Sequence, residues 1–346
     1  MTLFRPTRRQ LIGSFPVLAG AAALPAPLVA AALGPEPEPL HFLVVGDWGR
    51  NGSPNQRLVA GRMGEVAAKV GSRFTVSTGD NFYTFGVKSV TDSKWVTSFT
   101  DVYTHKALQK PWYAVLGNHD YGGNVRAQID RSGTGPWEMD ALWFERTPAE
   151  VGHPDVHLFF INTVVWRGKE SFPFKWLGSD ISKGDQQAQI EWLTGKLSRS
   201  SARYKLVFGH HGIYSVGPHG GRMQMNELDE VLRKYRVTAY VHGHDHCLYH
   251  ISRDGMHYVC SGAGSNILGD YKGGQVFVDA AGIRSGCVLP VFCDPGTRGD
   301  LFPYWHRHIT EPGFAEFEVT SRGPRFVFHG GAGPLYEYDW SRGETA

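Results

Sequence analysis

Asp47, Asp80, Asn118, His210, His244 and His246 stand in the short segments GDWG, GDNFY, GNHD, FGHH and GHDH, each placed where an apolar run stops. Carboxylate, carboxamide and neutral imidazole are ligands for hard to borderline divalent or trivalent metals. One histidine alone is more often a packed or solvated group, and one Gly-Asp pair more often a turn or helix cap. Their recurrence beside glycine at five such places is what points to metal binding, since glycine lets the chain turn and leaves room for an ion. Six groups exceed one tetrahedral site and suit two sites that share a bridging carboxylate. His244 and His246 are separated by one residue, so in an extended segment both point to the same side and one strand end can serve both ions. Asp80 also lies three residues before Tyr83, which brings an acid and a phenol onto one loop.

The elements that must position these groups follow from the pattern between them. Leu40 to His246 alternates the apolar runs HFLVVGD, RFTVSTGD, WYAVLGNHD, VHLFFINT, YKLVFGHH and TAYVHGHDH with polar stretches such as NQRLVAGRMGEVAAKV and GDQQAQIEWLTGKL. Near-continuous Val/Leu/Phe runs between helix-like segments predict buried strands of an α/β fold. In such sheets functional groups gather beyond the carboxyl ends of the strands.

The ordered blocks GDWG, GDNFY, GNHD, VFGH and GHDH resemble the signature of the calcineurin-like metallophosphoesterases, GD-x-G, GD-xx-Y, GNH-[DE], V-xx-H and GH-x-H. The tyrosine of the second block is similar to that of the purple acid phosphatase branch. HGIYSVGPHG, SGAG and GFAEFEV resemble the small, single-domain tartrate-resistant type, so the likeness runs from roughly Leu40 to Gly330. It implies a four-layer αββα sandwich with two mixed β-sheets, formed by one catalytic domain over residues 33–346 with its metal motifs within 41–246.

The resemblance also implies roles. A ferric site would take Asp47, Asp80, Tyr83 and His246. A second site, for Fe2+, Zn2+ or Mn2+, would take Asp80, Asn118, His210 and His244, with Asp80 bridging. The chemistry agrees: a buried phenolate is tolerable only beside a highly charged cation that lowers its pKa from about 10. Neutral Asn118 leaves the other ion better able to take an anionic phosphate. Two ions roughly 3.5–4 Å apart can hold a hydroxide and clamp a phosphate for in-line attack. The implied function is therefore phosphate monoester hydrolysis by a dinuclear Fe(III)–M(II) centre with a metal-bound hydroxide nucleophile, an acid phosphatase.

His119, next to Asn118, carries the family's role of substrate contact and general acid. His219 matches a second substrate-pocket histidine. Asp120 would orient the site from behind the ligands, His211 and Asp245 would either pack or support the ligands from behind, and Trp48 and Phe82 would wall the cleft. The rival readings are a phosphodiesterase of the same superfamily and a non-catalytic envelope protein that binds metal or phosphate. His119 argues against the binder, which needs no proton donor. Iron-driven redox chemistry stays open as a side activity.

Residues 1–32 read as a twin-arginine export signal: Arg8 and Arg9, then an Ala/Leu/Val run broken by Pro25 and Pro27, then small residues near Ala32. The expected location is periplasmic or secreted, in a bacterium. Without that segment 32 basic side chains face 33 acidic ones, so the surplus of positive charge that a nucleic-acid or anionic-membrane partner demands is missing. The expected partner is a small phosphate ester, and the expected state a monomer, free of the membrane after cleavage. At 346 residues with 41% hydrophobic content the chain can bury a large core.

An oxidising compartment permits disulfides. Cys287 and Cys293 flank the short loop VLPVF and form the better pair. Cys247 and Cys260 lie diagonally on a hairpin turning at Asp254-Gly255, a marginal pair. Residues 265–300 form a long Gly-rich segment expected to lack regular structure and to shape substrate access. The segment from Arg167 to Asp185 falls where the tartrate-resistant type carries an exposed loop.

Overall fold

The computed structural model describes residues 36–166, 183–219, 225–268, 276–278, 284–286 and 304–345. The segment read as an export signal, residues 167–182, Cys287 and Cys293 lie outside the described residues.

The chain first lays down four parallel strands, β1 (Leu40–Val45), β2 (Thr75–Ser77), β3 (Trp112–Ala114) and β4 (Trp137–Glu138). A second set follows: β5 (Phe144–Arg146), β6 (Val156–Phe160), β7 (Tyr204–Phe208), β8 (Ala239–His242), β9 (Leu248–Arg253) and β10 (Met256–Ser261). Two short strands, β11 (Val276–Val278) and β12 (Arg284–Gly286), pair with each other. The described residues of the Gly-rich segment thus include an antiparallel strand pair, a correction to its expected lack of regular structure. The carboxyl-terminal part adds β13 (Tyr304–Ile309), β14 (Gly313–Thr320), β15 (Gly323–Gly330), β16 (Pro334–Asp339) and β17 (Gly343–Thr345).

Two mixed sheets result. One has eight strands in the order β17-β16-β15-β14-β1-β2-β3-β4, and the other seven in the order β13-β9-β10-β8-β7-β6-β5. Each has a parallel centre carrying the motif loops and an antiparallel flank, because β1 pairs with β14 and β10 with β9 in antiparallel register.

The apolar runs are continuous because these strands are buried on both faces. Leu158, Phe160, Leu206, Phe208, Ala239 and Val241 join the core between the sheets, whereas the alternate residues Phe159, Val207 and Tyr240 join a core under the outer helices. That is the two-residue period of a strand with no polar side. Ring contacts seal the sheets together: Phe42 lies 6.3 Å from Phe208, and Tyr113 lies 5.7 Å from Phe160.

Helix α1 (Pro54–Val70) covers the first sheet with Val59, Ala60, Met63, Val66 and Ala67, a helical spacing of apolar residues. It begins with proline at its first position and ends at Gly71 in the left-handed conformation. Short helices α2 (Val125–Asp130) and α3 (Pro148–Val151) edge the sheets. Helices α4 (Lys183–Arg199) and α5 (Asn226–Lys234) cover the second sheet through Ile190, Leu193, Leu197, Leu228 and Leu232. The layers are therefore helix, sheet, sheet, helix. Among the described residues no helix is long and apolar enough to cross a membrane.

The hairpin of β9 and β10 turns at Asp254-Gly255, both with positive φ. Cys260 faces Tyr249, two residues from Cys247, so the cysteines are diagonal and both are free and buried. Trp48 and Phe82 do not wall a cleft. Both are fully buried among Trp95, Phe99, Tyr103 and Trp112, because the loops that follow β1 and β2 turn their aromatic residues back onto the core.

Candidate metal centre

The loops that leave β1, β2, β3, β7 and β8 converge at one edge of the two sheets. Tyr83 is their meeting point: its hydroxyl lies 3.0 Å from Asp47 Oδ1, 3.0 Å from Asp80 Oδ2 and 2.9 Å from His246 Nε2. The other oxygen of Asp80 lies 3.5 Å from His210 Nε2, which is 3.2 Å from Asn118 Oδ1. The His244 ring stands 5.0 Å from that of His210. Asp80 thus turns one oxygen toward Asp47, Tyr83 and His246 and the other toward Asn118, His210 and His244. All seven sequence-derived ligands are buried, and they fall into two clusters on either side of one carboxylate.

Asp47 (φ 60°), Asp80 (φ 50°), His244 (φ 72°) and His246 (φ 48°) all occupy the left-handed region. Each such residue costs on the order of 1–3 kcal/mol, and strain of this kind gathers at functional sites. His244 and His246 therefore do not share one side of an extended strand, as their spacing predicts. The backbone coils after His242 and sends the two rings to different clusters. Glycine makes the close approach feasible. A methyl group at Gly117 would stand 2.1 Å from Asp80 Oδ1, and one at Gly243 would stand 2.4 Å from Asp47 Oδ2.

The proton positions suit a cation. His210 Nδ1 lies 2.9 Å from the carbonyl of Thr78, and His246 Nδ1 lies 3.0 Å from that of Asn266. A carbonyl only accepts, so both rings carry their proton on Nδ1 and aim the Nε2 lone pair into the site. Burial and the Asp80 carboxylate push the Asp47 carboxyl well above its ordinary range. Burial, Asp47 and Asp80 do the same to the Tyr83 phenol. Burial also drives His246 down to about 4. Asp80, despite burial, is held low by His210 and His119. Three buried acidic groups around one point are costly by themselves and become favourable around a multiply charged cation, which reverses both upward shifts. The donor set therefore fits two metal ions.

Behind the ligands, Asp120 accepts from the backbone N–H groups of Gly117 (2.9 Å), Asn81 (3.0 Å) and Phe82 (3.2 Å) and from the Gln128 amide (2.9 Å). It ties the loop after β2 to the loop after β3. Burial and the charge of Asp80 raise its carboxyl to about 7.

His119 sits at the rim. Its backbone N–H donates to Asp80 Oδ1 at 2.8 Å, and its Nδ1 lies 2.7 Å from the carbonyl of Thr84. His219 stacks 4.3 Å from the His244 ring, and its backbone N–H donates to Asp245 at 2.9 Å.

Five groups do more in the structure than residue type discloses. Asp245 takes the supporting place of its two expected ones: besides His219 it accepts from Ser215 and, at 2.8 Å, from Tyr249. His211 lies within ligand reach of His210 and His244 and is oriented by Thr163 at 2.9 Å. The carbonyls of Thr78 and Asn266 leave no trace in residue type. Arg50, whose guanidinium lies 3.6 Å from the centroid of the Tyr83 ring, carries the one signal available, being next to the first motif.

Comparison with known proteins gives the family. Residues 40–248 match the calcineurin-like phosphoesterase family. The chain is 41% identical over 245 residues to purple acid phosphatase 3 of Arabidopsis thaliana, covering 68% of this chain and 65% of that protein. It is 36% identical over 265 residues to tartrate-resistant acid phosphatase type 5 of Mus musculus, covering 73% and 80%. The fold is similar to that of a purple acid phosphatase from yellow lupin (Lupinus luteus) seeds, with a TM-score of 0.59 at 14% identity over 87% of this chain and 53% of that one. With the motif loops inside the matched span, the chain belongs to the calcineurin-like phosphoesterases, on the branch of the purple acid phosphatases.

Proposed function

We propose that this protein hydrolyses phosphate monoesters at a centre of two metal ions, one ferric and one divalent (Fe2+, Zn2+ or Mn2+). The observation that carries the reading is Asp80, whose two oxygens face two separate donor clusters. Asp47, Tyr83 and His246 complete one cluster, whose phenol favours the trivalent ion. Asn118, His210 and His244 complete the other. When bound, such a pair supplies charge to neutralise the phosphate and a nucleophile at its face.

The chain's own residues supply the rest. The Thr84 carbonyl holds the proton of His119 on Nδ1, so Nε2 faces the site and is the atom that exchanges a second proton. The protonated ring can hydrogen-bond the leaving oxygen and then release that proton to it, and water restores the ring. His219, a third exposed and tethered to Asp245, is in reach of a substrate oxygen beside His244. Names of the relatives support the monoester class. The twin-arginine pattern supports an exported, periplasmic or secreted protein.

The test is steady-state hydrolysis of an aryl phosphate monoester and the matching diester at acidic and neutral pH, with metal analysis of the same sample. The expected result is faster monoester turnover in acid by protein holding iron and a second metal. Preference for the diester would replace the substrate class, and metal-loaded protein that cleaves neither ester would be a binding protein.

A further inference from the structure

A cavity of about 500 Å³ opens at the opposite edge of the sheets from the candidate metal centre. Arg203, Arg233, Arg236 and Arg322 line it, with Asp254 as the one acidic residue of its wall among the described residues. Strand β7 runs from this cavity, at Tyr204, to the loop bearing His210, which at 3.3 Å per residue separates the two places by roughly 20 Å.

The charge in the cavity is largely uncompensated. Asp254 and the buried Asp229 engage Arg233 at 3.4 and 3.0 Å. Arg203 donates to the carbonyl of Ser321 at 2.9 Å, which leaves its charge intact. Among the described residues Arg236 and Arg322 have no carboxylate partner, and both are exposed. Arg236 also depresses the Lys205 ammonium, which burial already lowers. Such a concentration of guanidinium groups contrasts with the near balance of 32 bases and 33 acids beyond residue 32. Two polar groups of the same wall, the Tyr204 hydroxyl and the Trp340 indole N–H, are buried and have no hydrogen-bond partner among the described residues.

We propose that this cavity is a second binding site, separate from the metal centre, for a small phosphorylated anion carrying two or more charges. Guanidinium forks match phosphoryl oxygens in geometry and keep their charge at every working pH. The volume suits a small molecule rather than a polymer chain. Arg203, Arg236 and Arg322, without an acidic partner among the described residues, select for multiple charge, and the aromatic residues of the wall offer an apolar surface to an organic remainder.

Arginine labelling of the whole protein with phenylglyoxal, mapped by peptide mass spectrometry, tests the site with methylenediphosphonate, whose P–C–P bridge a phosphoesterase does not cleave. At about ten times its Kd the probe is expected to slow labelling of Arg236 and Arg322 about tenfold. The doubly substituted Arg236→Gln/Arg322→Gln protein should need at least about tenfold more probe to protect Arg203, a loss of ~1.4 kcal/mol, with ester turnover unchanged. Labelling that is equal with and without the probe, or protection matched by sodium chloride at the same ionic strength, overturns the proposal. Arg50, beside Tyr83, reports the metal centre in the same experiment, so failure of the phosphatase reading appears there and in turnover, independently of Arg236 and Arg322.

Discussion

Tyr83 is the residue on which the ferric assignment turns. Its hydroxyl touches two carboxylates and an imidazole, a setting that pushes a lone phenol toward neutrality and that a trivalent cation inverts. Tyr83→Phe removes the oxygen but keeps the ring under Arg50 and against His119 at 4.5 Å. The iron-loaded variant is expected to lose its visible absorption and to retain at least about tenfold less iron after dialysis, with an unchanged circular dichroism spectrum. Unaltered colour would make the phenol structural. Asp245 makes a contrasting case, since it touches no ligand side chain and anchors His219. Asp245→Asn sets an amide donor against the hydroxyls of Ser215 and Tyr249, both of which must donate to the native carboxylate. Turnover should fall about ten- to a hundredfold with metal content preserved. Loss of metal together with activity would mean that Asp245 maintains the ligand loops themselves.

At the scale of elements, the site is made by loops that approach more closely than side chains permit. A methyl at Gly117 would meet the backbone nitrogen of Asp80 at 2.3 Å as well as its carboxylate, so the loops that Asp120 ties together must part. Gly117→Ala is expected to cost about 1–3 kcal/mol in denaturant unfolding and to strip metal from the purified protein. Gly61→Ala, on an exposed position of α1 where an added methyl meets nothing within 4 Å, should instead stabilise by roughly 0.5–1 kcal/mol. Equal behaviour of the two variants would refute the crowding argument. The six central strands were legible because burial on both faces writes continuous apolar runs into the chain, as in VHLFF and YKLVF. The ligand types were legible because each ends such a run. The pairing of β1 with β14 was not, since Leu40 faces Val319 across almost the whole chain and no local period records so distant a partner. Nor were the left-handed turns at Asp47, Asp80, His244 and His246, which leave residue type unchanged and decide which way each ligand points. The burial of Trp48 was misread for the same reason: its neighbourhood in sequence is a metal motif, and its neighbourhood in space is the core.

The whole molecule carries a tension between its stability and work in acid. His250 on β9 and His257 on β10 are buried and His306 on β13 half-buried, and they form one group: His250 Nε2 lies 2.8 Å from His257 Nδ1, and the His306 ring stacks 4.2 Å from that of His250. Burial drives His250 well below its ordinary value, His257 to about 3 and His306 to about 4. A histidine that stays neutral when folded and titrates near 6.5 when unfolded adds stability in full above that pH. The contribution is lost as pH falls toward the folded value, because the unfolded chain binds more protons. Each such histidine gives a slope of ~1.4 kcal/mol per pH unit below 6.5. Glu316, held at about 2 by its hydrogen bonds to His329 and His41 despite burial, stabilises at all pH values above about 4.5 and lends no slope between 4.5 and 6.5. Asp120, raised to about 7, runs the other way and offsets about one histidine, so urea unfolding at pH 7, 6 and 5 is expected to show stability falling by a few kcal/mol across the two units. His257→Gln, which keeps a hydrogen-bonding group beside His250 but cannot be protonated, should have a shallower slope than the native chain. A midpoint independent of pH would mean that the three rings are solvated. In that case the acid side of the activity profile would be set at the metal centre; with the slope observed, unfolding of this strand group sets the lower limit of pH at which the proposed acid phosphatase works.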